Sequence, residues 1–101
     1  MPDPAKRDPA MRWVVEMHMY TVYILKSTLH GRYYVGHTDN IDKRLKKHNA
    51  GQVKSTKPFK PWTLIHCEQY SLRSEAFKRE MEIKKYKSGI KFKKLLGLWK
   101  K

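Results

Sequence analysis

Residues 20–36 read Tyr-Thr-Val-Tyr-Ile-Leu-Lys-Ser-Thr-Leu-His-Gly-Arg-Tyr-Tyr-Val-Gly, and the fold turns on them. Tyr20 to Leu25 are β-branched, aromatic or aliphatic, the residue types that suit a pleated and half-buried surface. A second such run, Arg32 to Gly36, follows His30-Gly31, a pair suited to a turn. The segment predicts a β-hairpin. Strand alternation then allows Tyr23 and Tyr34 to present their hydroxyls on the same side of it.

Beyond the hairpin, Thr38, Asp39 and Asn40 supply helix-capping oxygens, Ile41, Leu45 and His48 fall at helical spacing, and Gly51 ends the run. A first helix is expected from Ile41 to Ala50. Residues Gly51 to Pro61 are polar, basic and twice interrupted by proline, which predicts a surface loop bearing Lys54, Lys57 and Lys60. Trp62 to Tyr70 reads as a third strand. Ser71 or Ser74 can cap a second helix, whose Leu72, Ala76, Phe77, Glu80 and Ile83 share a face. Gly89 interrupts it, and Ile90 to Trp99 alternates lysine with apolar residues as a short third helix would. The order β-β-α-β-α-α describes an α/β fold: a small three-stranded, largely antiparallel sheet flanked by helices.

Composition narrows the partners. The 101 residues carry 23 Lys and Arg against 9 Asp and Glu, a net charge of +14. A chain of this length makes one small domain. In residues 1–18, Lys6, Arg7 and Arg12 balance Asp3, Asp8 and Glu16, and three prolines oppose a long helix. That stretch reads as an N-terminal extension, with the whole surplus charge in residues 19–101. Such a field attracts polyanions, so nucleic acid is the leading partner. The lone Cys67 leaves no internal disulfide, and neither a membrane-spanning run nor a signal-peptide pattern is evident, so a cytoplasmic protein without a membrane partner is expected. The basic amphipathic run Ile90 to Trp99 could lie on anionic lipid, but capping the core of so small a domain is the simpler use of its apolar residues.

Local rules fail most often at functional sites, and here they fail at polar positions. Glu80 falls on an apolar helical stripe, where an unpaired carboxylate would be costly, so it needs a cation. Arg44 and His48 lie one turn apart and can project together toward the sheet. With Tyr23 and Tyr34 they make two phenols, a guanidinium, an imidazole and a carboxylate. Singly each has a plainer explanation: tyrosines pack, Arg44 pairs with Glu80, His48 meets a helix dipole. As five groups from four segments, they point to a site.

These residues resemble the GIY-YIG nuclease domain. Thr21-Val22-Tyr23 stands where that family has Gly-Ile-Tyr, and Tyr34-Val35-Gly36 where it has Tyr-Ile-Gly, with ten residues between the two tyrosines. Arg44, His48, Asn49 and Gly51 follow in order, and Ala76 to Glu80 looks like the segment with the family's metal-binding glutamate. The resemblance spans Tyr20 to Leu96 and is nearest to small stand-alone bacterial members. Thr21 departs from the first glycine, with the expectation that its side chain narrows the site.

The resemblance implies a DNA endonuclease, of the kind used in repair or recombination, dependent on one Mg²⁺ or Mn²⁺ ion held by Glu80. Tyr23 or Tyr34 would accept the proton of the attacking water, Arg44 would contact the phosphate, and His48 would orient or deprotonate a tyrosine. Gly36, His37, Thr38, Lys43, Lys46, Lys47, Lys54, Lys57 and Lys60 are assigned to DNA contact, with RNA left open as a substrate. The alternative is a nucleic-acid-binding module that keeps the fold without cutting.

Overall fold

The computed structural model describes residues 19–86 and 89–98. The expected extension over residues 1–18 and Trp99 lie outside them. Three strands, β1 (Tyr20–Ser27), β2 (Tyr33–Thr38) and β3 (Trp62–Tyr70), form an antiparallel sheet in the order β2-β1-β3. Helix α1 (Ile41–Asn49) follows β2, and α2 (Arg73–Lys85) and α3 (Ile90–Leu95) follow β3. The expected α/β architecture and element order are those observed. The hairpin strands run two residues further than their apolar cores, to Ser27 and Thr38.

Register assigns each side chain to a layer. Tyr23 pairs with Gly36 and Leu25 with Tyr34, so these side chains share one face with Trp62, against which Ile41, Leu45 and Phe59 pack. Val22, Ile24 and Val35 occupy the other face, closed by Ala76 and Ile83 of α2 and Phe92 of α3. A bulge at Ile65 shifts the pairing of β3 between Ile24↔His66 and Leu25↔Leu64. Trp62 and Leu64 therefore face α1, whereas His66, Glu68 and Tyr70 face α2.

Both ends of α1 follow from its sequence. The Asn40 side chain accepts the Lys43 backbone N–H at 3.0 Å, and Gly51 takes a left-handed φ of 75° while Gln52 N–H reaches back to Lys47 O. α2 differs from expectation. Leu72 is its N-cap residue, in extended conformation, and neither Ser71 nor Ser74 caps it. Ala76, Glu80 and Ile83 form the buried stripe as expected, but Phe77 and Leu72 are about half exposed. Phe77 sits about 100° around the helix from Ala76, and Leu72 precedes the first helical turn.

α3 is shorter than its apolar pattern suggests. Gly97, at φ 73°, ends it, with Leu98 N–H bonded to Lys93 O. Phe92 is buried and Leu95 and Leu96 pack against the α2-side core, so these residues serve the interior. The loop after α1 also departs from a simple surface run. It contains a 3₁₀ turn at Lys57–Phe59, and Thr56 is 1% exposed.

Candidate active site

Tyr23 lies in the middle of the central strand and is fully buried. Its ring stands 6.1 Å from that of Tyr34 on the same face. The two converge over Gly36: a Cβ there would be 2.8 Å from the Tyr23 hydroxyl and 3.0 Å from Tyr34 Cε2. Glycine is required at this position because the phenols fill the space a side chain would need.

α1 brings Arg44 and His48 to this pair from one helical face. His48 is fully buried, its Nε2 is 3.1 Å from the Tyr23 hydroxyl, and its ring lies 4.9 Å from that of Tyr34. Its Nδ1 is 2.8 Å from Thr56 Oγ1. Burial, reinforced by the Arg44 charge, pushes the His48 pKa below its ordinary 6.5, so the ring is neutral at pH 7. Burial likewise pushes the Tyr23 pKa well above 10, with Tyr34 adding to the rise and Glu80 contributing less. The Arg44 charge works against it.

Glu80 comes from the other layer. It is 7% exposed on α2, with Oε1 2.5 Å from His37 Nδ1 and Oε2 2.6 Å from Lys84 Nζ. Its partners are therefore local to β2 and α2, and the expected alternative of an Arg44–Glu80 bridge is not the arrangement adopted. His37 follows Gly36 on the edge strand and pairs with Val22, so it meets the carboxylate on the α2 face of the sheet, one residue along from the glycine under the phenols. The effect of Glu80 on Tyr23 shows that its charge is felt there.

Residues 19–93 match the family model described as the GIY-YIG catalytic domain. The chain belongs to the GIY-YIG family. It is 44% identical over 71 residues to a UPF0213 protein of Staphylococcus aureus strain Mu3, covering 69% of this chain and 85% of that one. The UPF0213 protein SA0446 of strain N315 gives the same figures. The solution structure of the UPF0213 protein BH0048 from Bacillus halodurans is similar with a TM-score of 0.51 at 33% identity, covering 79% of this chain and 84% of that one. The fold and the nuclease superfamily read from residues 20–80 are thus established.

GIY-YIG nucleases use a divalent metal, and the donor set here can be tested for one. Among the described residues no three His, Cys, Asp or Glu side chains cluster, so an all-protein cage is not formed. Mg²⁺ does not need one, since it keeps water and borrows phosphate oxygens around one or two carboxylates. Glu80 meets that requirement. Lys84 already places a cation on its Oε2, and as a flexible side chain 46% exposed it can swing away. The residues fit a single hard cation.

The remaining positions that the sequence suggested for DNA contact fall into two groups. Lys43, Lys46, Lys47, Lys54, Lys57 and Lys60 are exposed on α1 and the loop after it. Lys57 and Lys60 fold over Gly51 at the end of α1, with Lys60 Nζ 3.6 Å from where a Cβ would stand. Gly36, His37 and Thr38 are engaged internally. Gly36 makes room for the phenols, His37 holds Glu80, and the buried Thr38 hydroxyl accepts the Asn40 N–H at 3.1 Å, fixing the turn into α1. Thr21, in place of the motif's first glycine, is buried on the Tyr23 face opposite Thr38.

Sequence reasoning missed Thr56 and Lys84, and gave Asn49 no structural task. Asn49 clamps the start of β3, accepting Trp62 N–H at 2.6 Å and donating to Trp62 O at 3.0 Å. Lys84 was legible as an i+4 partner of Glu80. Thr56 carried no signal, because nothing local tells that a threonine in a basic, proline-containing loop turns inward.

Proposed function

We propose that this protein is a metal-dependent endonuclease that hydrolyses DNA phosphodiester bonds. The observation that supports the reading is the meeting of Tyr23 and Tyr34 over Gly36, with the charges of Arg44 and Glu80 acting on the Tyr23 phenol, in a GIY-YIG domain. A divalent ion on Glu80 would polarise the scissile phosphate and stabilise the leaving oxygen. The Arg44 guanidinium offers a planar fork to two phosphate oxygens.

Accessibility supports dividing the tyrosines. Tyr34 is half-buried and can meet an attacking water, which favours it as the group that takes the proton. Tyr23 is sealed inside and bonded to His48, which favours a supporting role. The exposed lysines of α1 and the following loop would hold the backbone with little sequence preference. A cytoplasmic DNA-processing role accords with the charge and with the lack, among the described residues, of any helix long and apolar enough to cross a membrane.

The test is cleavage of branched, nicked, single-stranded and duplex DNA, and of RNA, with Mg²⁺ or Mn²⁺. Wild type should cut only when metal is present, and Glu80→Ala and Arg44→Ala should not cut while unfolding like wild type. Binding by wild type across the whole panel without any cleavage would replace this reading with that of a non-catalytic module.

A further inference from the structure

The loop between α1 and β3 delivers one buried hydroxyl to the site, and the hydrogen bonds around it have a direction. Thr56 Oγ1 lies 3.3 Å from Val53 O, which can only accept and also takes the backbone N–H groups of Thr56 and Lys57, so the hydroxyl can join them as a third donor. Its oxygen is then left to accept from His48 Nδ1 at 2.8 Å. The other end of the imidazole agrees. The Arg44 charge lies near the Tyr23 phenol and favours its oxygen turning toward that cation, which leaves the phenol hydrogen to point at His48 Nε2, 3.1 Å away.

We infer that Thr56 is a positioning residue that holds His48 in its Nδ1–H tautomer, leaving Nε2 bare to accept the Tyr23 hydroxyl proton. A neutral histidine has one donor and one acceptor nitrogen, and the bond made by one fixes the task of the other. Without Thr56 the ring could protonate on Nε2 instead, presenting a donor to the phenol oxygen where an acceptor for the phenol hydrogen is needed. The hydroxyl is set rigidly enough for this. Thr56 backbone N–H bonds to Val53 O at 3.1 Å, and its carbonyl accepts the Trp62 indole N–H at 3.0 Å, while Asn49 pins Trp62. The loop thus reaches past the basic surface formed by Lys54, Lys57 and Lys60 to the inner end of the phenol pair.

The tautomer is a property of the free protein, whereas its consequence for cleavage rests on the nuclease reading above. The experiment is therefore a long-range ¹H–¹⁵N correlation spectrum of the histidine rings, in protein free of metal and DNA. Wild type and Thr56→Ser should show His48 with a proton-bearing Nδ1 and a bare Nε2. Thr56→Val should move His48 toward the Nε2–H form while the His30 and His66 signals stay in place. In the cleavage assay Thr56→Val should lose roughly tenfold to a hundredfold in turnover, with KM unchanged and activity recovered in Thr56→Ser. An Nε2–H His48 in wild type overturns the inference, and that spectrum decides it even if Thr56→Val does not fold. A His48 spectrum unchanged in folded Thr56→Val overturns it equally. Should wild type cut nothing, the nuclease reading fails while the spectrum still reports on Thr56.

Discussion

A Cβ on Gly36 would stand 2.8 Å from the Tyr23 hydroxyl, so the backbone of the edge strand and the phenol of the central strand are in direct contact. The last glycine of the Tyr-Val-Gly motif is thereby explained by space. Gly36→Ala should force apart the rings of Tyr23 and Tyr34, and neither can yield freely inside a packed layer. The expected cost is about 1–3 kcal/mol of stability, together with loss of cleavage. Urea unfolding and the metal-dependent assay check both.

Lys84 would compete with a divalent ion for the Glu80 carboxylate. Lys84→Met should strengthen Mn²⁺ binding by a few-fold, because the half-exposed ammonium is screened and only partly satisfies Glu80. Glu80→Gln should abolish that binding. Titration calorimetry in the absence of DNA distinguishes the two variants, and equal affinity in wild type and Lys84→Met would show that the lysine is no competitor.

Glu68 should govern acid stability. Arg79 donates to both of its oxygens, at 2.8 and 3.0 Å, and with smaller help from His66 and Tyr70 lowers its pKa from 4.5 to about 2. A carboxylate depressed in the folded state binds its proton first in the unfolded chain. Its contribution is then complete above about pH 5 and disappears as pH falls toward 2. Glu68→Gln should remove on the order of 2 kcal/mol at pH 7 and flatten the pH dependence of unfolding across that window.

His48 should titrate below 6.5. Its pKa is lowered by burial and by Arg44, so the unfolded chain takes up a proton before the folded one does. Stability from the neutral ring is complete above pH 6.5 and declines as pH falls below it. The acid limb of cleavage should follow the same group, since a protonated ring cannot accept from Tyr23. An NMR titration of the His48 ring beside the pH–rate profile checks the coincidence.

DNA affinity should fall steeply with salt, the slope tracking the phosphates neutralised. Replacing Lys43, Lys47 and Lys57 together by glutamine should flatten that slope by about three units without changing which DNA form is preferred.

The hairpin, α1 and β3 were legible because each carries its own punctuation: a turn between apolar runs, the Asn40 cap, the left-handed Gly51. That Tyr23 and Tyr34 share a face followed from alternation, and that Arg44 and His48 do so followed from helical spacing. What escaped reading was set by distant partners. A 3.6-residue stripe cannot tell Phe77 from its neighbour Ala76 when the sheet behind the helix is unknown. The serines around Leu72 offered several equivalent starts for α2. His37 looked like a phosphate contact because its partner Glu80 lies 43 residues away. Thr56 was hidden for the same reason, as its inward turn depends on Trp62 and Asn49.

The extra residue at Ile65 lets one nine-residue strand change phase halfway along. Its first half answers to the chemistry over α1 and its second half to the ion-pair lattice under α2. Mutations that tune one side need not disturb the other, although both are written on the same ribbon. With Leu64 opposite Leu25 and His66 opposite Ile24, Ile65 is the residue left over between two regular stretches, so this small irregularity bends the ribbon while Glu68 keeps its place opposite Val22.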